Sequence, residues 1–173
     1  MTIYVCPLSR APLLAREKNV SHVVSLLDPA TPFPVIKEVG PRHLCVEVHD
    51  IEQEMEGLNS LCDARVKRLL EFVSDWDRVN PILIHCYAGI SRSTATAFIT
   101  ACAHNPNTDE EEIALALREA SPSASPNRRF VALADAELGR SGRMSRAIEH
   151  IGRGASWHDI GEATPFSIAS RYA

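Results

Sequence analysis

The segment PILIHCYAGISRSTATAFITA (Pro81–Ala101) passes from an unbroken apolar run, through a short loop, into a helix. Ile82–Cys86 suits a strand covered on both faces, and Ser93–Ala103 reads as a helix. The loop between them has a cysteine at its entrance and an arginine at its exit. A strand that feeds a helix through a tight loop makes an anion site. The first N–H groups of the helix lack backbone partners and point toward the loop, and the helix dipole adds positive potential there. Gly89 lets the loop backbone turn inward without a clashing Cβ. Arg92 supplies a planar fork that can hold two oxygens of a tetrahedral oxyanion. A free thiol is only a few per cent thiolate at neutral pH, and surroundings of this kind favour the anion. The loop therefore reads as a nucleophile, Cys86, built together with a cradle for its target.

Working outward, "IYVC" (Ile3–Cys6), "HVVSLL" (His22–Leu27) and "HLCVEV" (His43–Val48) read as further strands. "RAPLLAREKN" between the first two reads as a short helix, and "PATPFPV" (Pro29–Val35) as a loop. Cys62, Val66, Leu69, Leu70, Val73 and Trp76 form a helical stripe. "TDEE" (Thr108–Glu111) fits a capping box for a helix through Ala120. Asn127 can cap "RRFVALADAEL", which stops at Gly139, and a last helix falls near Met144–Ile151. Strands interleaved with helices, followed by helices alone, predict an α/β fold around a mixed sheet. The 173 residues are expected to form a single domain, with 152–173 as a tail docked through Trp157, Phe166 and Tyr172.

With 18 Lys and Arg against 22 Asp and Glu, the net charge is −4, so nucleic acid is not an expected partner and any anion site must be local. No apolar run approaches the roughly 18 residues of a membrane span. The N-terminus does not read as a signal peptide. Five cysteines with no CxxC pair suit a reducing cytoplasm, the expected location.

Cys-x5-Arg alone would arise by chance roughly 0.4 times in a chain of this composition; requiring His85, Gly89 and Ser93 as well lowers the expectation to on the order of 10⁻⁴. "HCYAGISRS" (His85–Ser93) resembles the HCxxGxxR[ST] signature of the cysteine-dependent protein tyrosine phosphatases. The surroundings, from about Ile3 to Leu138, are similar to the compact dual-specificity phosphatases, in particular small prokaryotic members. The resemblance implies a central, mostly parallel sheet of four to five strands flanked by helices. It also implies hydrolysis of phosphotyrosine, with phosphoserine and phosphothreonine as further substrates, in proteins or peptides through a phosphocysteine.

In that scheme Cys86 attacks phosphorus. Arg92 and the backbone of Tyr87, Ala88, Gly89, Ile90 and Ser91 hold the oxygens, so phosphate, sulfate or vanadate should occupy the loop. An aspartate after a strand, some thirty-odd residues before the cysteine, protonates the leaving oxygen. Asp50, which closes "HLCVEVHD", fits at 36 positions (86 − 50), with Glu52, Glu54 and Glu56 as rivals. Ser93 reads as a helix cap, to which the resemblance adds a hydrogen bond to the sulfur. His85 would orient the loop and stabilise the thiolate. No metal or other cofactor is expected, because Arg92 and the amides neutralise the phosphoryl charge.

His43, Cys45, Glu47 and His49 alternate along one strand face, but at about 3.3 Å per residue the outer pair lies too far apart for one ion. Cys6, Cys45, Cys62 and Cys102 are expected in the interior. Two other functions compete: a module that binds phosphorylated partners without turnover, and arsenate-reductase-like oxyanion chemistry. A central loop preceded by a candidate acid favours the phosphatase. Loop positions 87, 88, 90 and 91 carry no lysine, whereas relatives acting on phosphoinositides often do.

Overall fold

Ile82–Cys86 forms the central strand of a five-stranded sheet, and all five of its residues are buried. The computed structural model describes residues 1–155 and 157–172, apart from the Trp157 side chain. The strands are β1 (Thr2–Pro7), β2 (His22–Leu27), β3 (His43–Glu47), β4 (Ile82–Cys86) and β5 (Phe166–Ala169). They lie in the order β3-β2-β4-β1-β5, parallel except for β5, which runs antiparallel to β1. Helices α1 (Ala11–Glu17), α2 (Asp63–Ser74), α3 (Arg92–His104), α4 (Glu110–Ala120), α5 (Arg128–Glu137), α6 (Arg143–Ile151) and α7 (Trp157–Ile160), with two short 3₁₀ turns at Leu8–Arg10 and Lys37–Val39, complete the described elements.

The alternation of side chains along the strands divides the core in two. Ile3, Val5, Ile82 and Ile84 face a large cluster with Leu69, Val73, Phe98 and Phe130 of α2, α3 and α5. Cys6, Val23 and Leu83 face a smaller one with Leu14 and Ala15 of α1 and with Ile36 and Val39 of the loop before β3. This double cover explains why β4 carries no alternation. Helix α3 is buried from Arg92 to Cys102, so the helix that leaves the loop is anchored in the core and its first turn is fixed.

Parallel β1, β2, β3 and β4 bring their C-terminal ends to one edge. Pro7 lies beside Cys86 in the register, and so does Leu26. In open parallel sheets that edge is where ligands bind.

Several sequence expectations need correction. Helix α4 is capped by Asp109, whose carboxylate accepts from Glu111 N at 3.0 Å, and not by Thr108. Asp is the better cap, and it carries Glu110, Glu111 and Glu112 into the first turn, where the dipole favours them. Cys45 and Cys62 are only partly buried, unlike Cys6 and Cys102. Cys45 lies on the edge strand β3, where one side is open. The tail supplies a strand, β5, which the sequence reading did not identify; Phe166 and Tyr172 pack on the main core. The expected docking of Trp157 concerns a side chain outside the described residues. Asn127 does cap α5, accepting from Phe130 N at 3.2 Å.

Candidate active site

The loop Tyr87–Ser91 is held by its carbonyls. Leu8 N donates to Tyr87 O at 3.1 Å, Ala163 N to Ala88 O at 2.8 Å, and Ser125 N to Ile90 O at 2.9 Å. Thr94 Oγ1 also donates to Ile90 O. The C=O and N–H of a trans peptide point in opposite directions. With those carbonyls tied to the surrounding chain, the amides of Ala88, Gly89 and Ser91 turn the other way, into the loop. Successive amides facing one concavity make an anion nest.

Gly89 is required at two levels. Its φ is +74°, a region costly for side-chain-bearing residues, and a Cβ there would sit 2.8 Å from Pro7 N. Its N–H donates to Cys86 Sγ at 3.3 Å.

Cys86 ends β4 with only 2% of its surface exposed. Ser93 Oγ lies 3.1 Å from its sulfur. Ser93 is therefore not the cap of α3; the cap position belongs to Ser91, and Ser93 is the second residue of the helix, its hydroxyl beside the Cys86 sulfur. The Gly89 N–H and the Ser93 hydroxyl thus both meet one sulfur.

Arg92, the first residue of α3, is 5% exposed. One guanidinium nitrogen, Nη1, donates to Val48 O at 2.8 Å and to Asp28 Oδ1 at 3.1 Å. Its Nε is buried and makes no hydrogen bond, although Asp50 Oδ2 stands 4.0 Å away. A buried guanidinium N–H without a partner is costly, and an oxyanion in the loop would satisfy it. Asp28 was missed in the sequence. It follows β2 directly, and only the fold shows that β2 is a parallel neighbour of β4, so that its end faces the loop.

Asp50 stands on the opposite wall. Its Oδ1 accepts from Ser91 Oγ at 2.7 Å and from Asn127 Nδ2 at 2.8 Å. Asn127 thus caps α5 and holds Asp50 at once. Asp50 lines a cleft of about 490 Å³ with Glu52, Ser91, Ser125, Asn127 and Arg153. Two of the rival carboxylates are paired, Glu52 with Arg153 at 2.9 Å and Glu54 with Arg129 at 2.9 Å, and Glu56 is exposed. Of the four acids, Asp50 is the one tied to the loop. The alternating strand residues do not converge: His43 turns to Ser25 at 2.7 Å, and His49 Nδ1 accepts from Asn59 N at 2.9 Å.

His85 is fully buried. Its Nε2 lies 2.5 Å from Ser25 Oγ, and its Nδ1 lies 3.5 Å from Cys86 O. Burial lowers its pKa to about 4, so near neutral pH the ring carries no charge and acts only through hydrogen bonds. This has a consequence for stability. Between its ordinary value of about 6.5 and the folded value of about 4, the unfolded chain binds a proton that the folded chain refuses. The stabilisation is whole above the ordinary value and is lost as pH falls through the folded one. It amounts to about 3 kcal/mol on this reckoning. Burial shifts His22, His43 and His104 in the same direction. Urea midpoints are therefore expected to fall steeply from pH 7 to pH 4.5, and less steeply in His85→Gln. An unchanged slope in the variant would remove His85 from the account.

No family model matches the chain, and no curated protein does. Solved structures do. The chain is similar to DUSP15 at 20% identity, with 86% of this chain and 90% of that one covered and a TM-score of 0.62. Against the Cydia pomonella PTP-2 phosphatase the identity is 23%, the coverage 78% and 84%, and the TM-score 0.59. Against the human tyrosine phosphatase-like serine/threonine/tyrosine-interacting protein the identity is 18%, the coverage 80% and 92%, and the TM-score 0.61. The fold is that of the cysteine-dependent, dual-specificity-like protein tyrosine phosphatases, as the signature implied. No helix among the described residues is long and apolar enough to cross a membrane.

Proposed function

We propose that this protein is a phosphoric monoester hydrolase that dephosphorylates phosphotyrosine, and also phosphoserine or phosphothreonine, in proteins or peptides. One observation carries the proposal: a sulfur met by the Gly89 N–H and the Ser93 hydroxyl, and a buried Arg92 Nε that makes no hydrogen bond, share one loop.

In the proposed first step the Cys86 sulfur attacks phosphorus. The S–P bond forms as the P–O bond to the leaving group breaks, and Asp50 gives that oxygen its proton. Arg92 and the loop amides hold the equatorial oxygens, which carry the charge of the transferring group. In the second step water attacks the phosphocysteine, Asp50 takes the water's proton, and the S–P bond breaks. Ser93, 3.1 Å from the sulfur, can donate to the departing thiolate.

The loop residues Tyr87, Ala88, Ile90 and Ser91 offer no ammonium group for extra phosphates. A protein substrate is therefore preferred over a phosphoinositide, although PTPMT1, solved in complex with PI(5)P, is among the similar structures at 15% identity.

The test is phosphate release from phosphotyrosine and phosphoserine peptides in the presence of EDTA. Release from both supports the proposal; release from phosphotyrosine alone would withdraw the dual part. Phosphate binding without turnover would favour a module that holds phosphorylated partners. Asp50→Asn refines the mechanism. It is expected to lower kcat by about 10²-fold on a phosphoserine peptide, the usual scale of a lost general acid. The loss should be much smaller on an aryl ester whose leaving group departs unprotonated. An equal loss on both would assign the acid elsewhere.

A further inference from the structure

The fully buried Ser25 sits between two imidazoles. Its Oγ lies 2.5 Å from His85 Nε2 and 2.7 Å from His43 Nε2. The three residues come from adjacent strands, β4, β2 and β3, so the contacts cross the sheet from the loop strand to its edge.

A hydroxyl has one proton to give, and a neutral imidazole one N–H. Ser25 can therefore donate to only one of the rings and must accept from the other. The far nitrogen of His85 decides the direction. Nδ1 faces the carbonyl oxygen of Cys86 at 3.5 Å, a long contact with an acceptor. A bare Nδ1 would set two lone pairs against each other, whereas an Nδ1–H can donate. In the neutral ring a proton on Nδ1 leaves Nε2 bare, so Nε2 accepts from Ser25. Ser25 in turn accepts from His43 Nε2–H. Every hydrogen bond then runs one way: His43 to Ser25, Ser25 to His85, His85 to Cys86 O.

We propose that Ser25 and His43 are positioning residues for the cysteine loop, locking His85 in its Nδ1–H tautomer so that the ring holds the Cys86 carbonyl. Holding that carbonyl fixes the main chain from which Sγ is presented to Gly89 N–H and Ser93 Oγ. The inference rests on the reading of Cys86 as the nucleophile. It adds two residues that touch neither substrate nor sulfur.

The test uses the full chain with ¹⁵N-labelled histidines, whose long-range ¹H–¹⁵N correlations distinguish the tautomers. His85 is expected as Nδ1–H and His43 as Nε2–H, and Ser25→Ala is expected to release His85 into a mixture. A second readout is the rate of iodoacetamide alkylation of Cys86 at fixed pH, followed on its own peptide by mass spectrometry. It should slow about five- to tenfold in Ser25→Ala and in His43→Leu, the scale of one lost hydrogen bond. His43→Gln places an amide N–H near the position of Nε2 and should stay within about twofold of wild type. Because His43 is only half-buried, the His43 pair carries the test if Ser25→Ala fails to fold. His85 found as Nε2–H in the wild type would overturn the inference. So would equal slowing in His43→Leu and His43→Gln, or no slowing in either. Neither readout needs turnover: a protein that never released phosphate but showed this chain of tautomers would sink the phosphatase reading alone.

Discussion

Cys86→Ser is expected to abolish turnover of a small aryl phosphate, with a loss of at least about 10⁴-fold, while phosphate binding survives within about tenfold. The substitution is nearly isosteric, and the Ser Oγ would keep Gly89 N–H and Ser93 Oγ as neighbours. The cradle itself is built from Arg92 and loop amides whose carbonyls are tied to Leu8, Ser125 and Ala163. None of these depends on sulfur. What changes is the nucleophile: a thiol ionises within reach of neutral pH and an alcohol does not, and among the described residues no histidine base stands by to activate the alcohol. His85 cannot serve, because it is held by Ser25 and Cys86 O. Large losses from removing a nucleophile are typical of residues that act as a unit. Kinetics and phosphate titration together check this. Residual activity within a hundredfold of wild type would show that Cys86 is not the nucleophile. Loss of phosphate binding along with turnover would show only a collapsed loop.

How much of this was legible in the sequence depended on whether the signal was local. The loop could be read because its elements are contiguous: a doubly buried strand, a glycine forced to positive φ, and an arginine at a helix start. Asp50 could be reached because it closes a recognisable strand. Asp28 could not, since nothing in the linear order says that β2 lies beside β4; once it does, the residue after Leu27 must face the loop. Asn127 was legible as a cap, but its second contact with Asp50 spans 77 positions and needs the fold. The edge strand β5 escaped for a related reason. Phe166–Ala169 has four residues and pairs with β1 near the far end of the chain, so its partner, not its own pattern, makes it a strand. Ser93 reads as a cap because serine at a helix start usually is one. The cap lies two residues earlier, at Ser91, which puts Ser93 inside the helix with its hydroxyl at the sulfur.

Arg92→Lys, the second large effect, is expected to lower kcat/KM on the same aryl phosphate by about 10²–10³-fold and to weaken phosphate binding as well. The magnitude is that of removing one preorganised donor from a transition-state cradle. Lysine keeps the charge, so a purely electrostatic role would predict a small loss; geometry says otherwise. The guanidinium divides its work. Nη1 is spent on Val48 O and Asp28, while Nε is left buried and unpartnered. A guanidinium spans both tasks because its donors are spread over a rigid plane. An ammonium is one point. If it stays with Asp28 and Val48 it leaves the oxyanion without its donor, and if it moves to the oxyanion it leaves a buried carbonyl unsatisfied. Either way the substrate meets a cradle that must reorganise. A melting temperature close to wild type would show that the loss is local. A variant with kcat/KM within about fivefold of wild type, by contrast, would mean that charge alone suffices and that the fork held between Asp28 and Asp50 is not what positions the phosphoryl group.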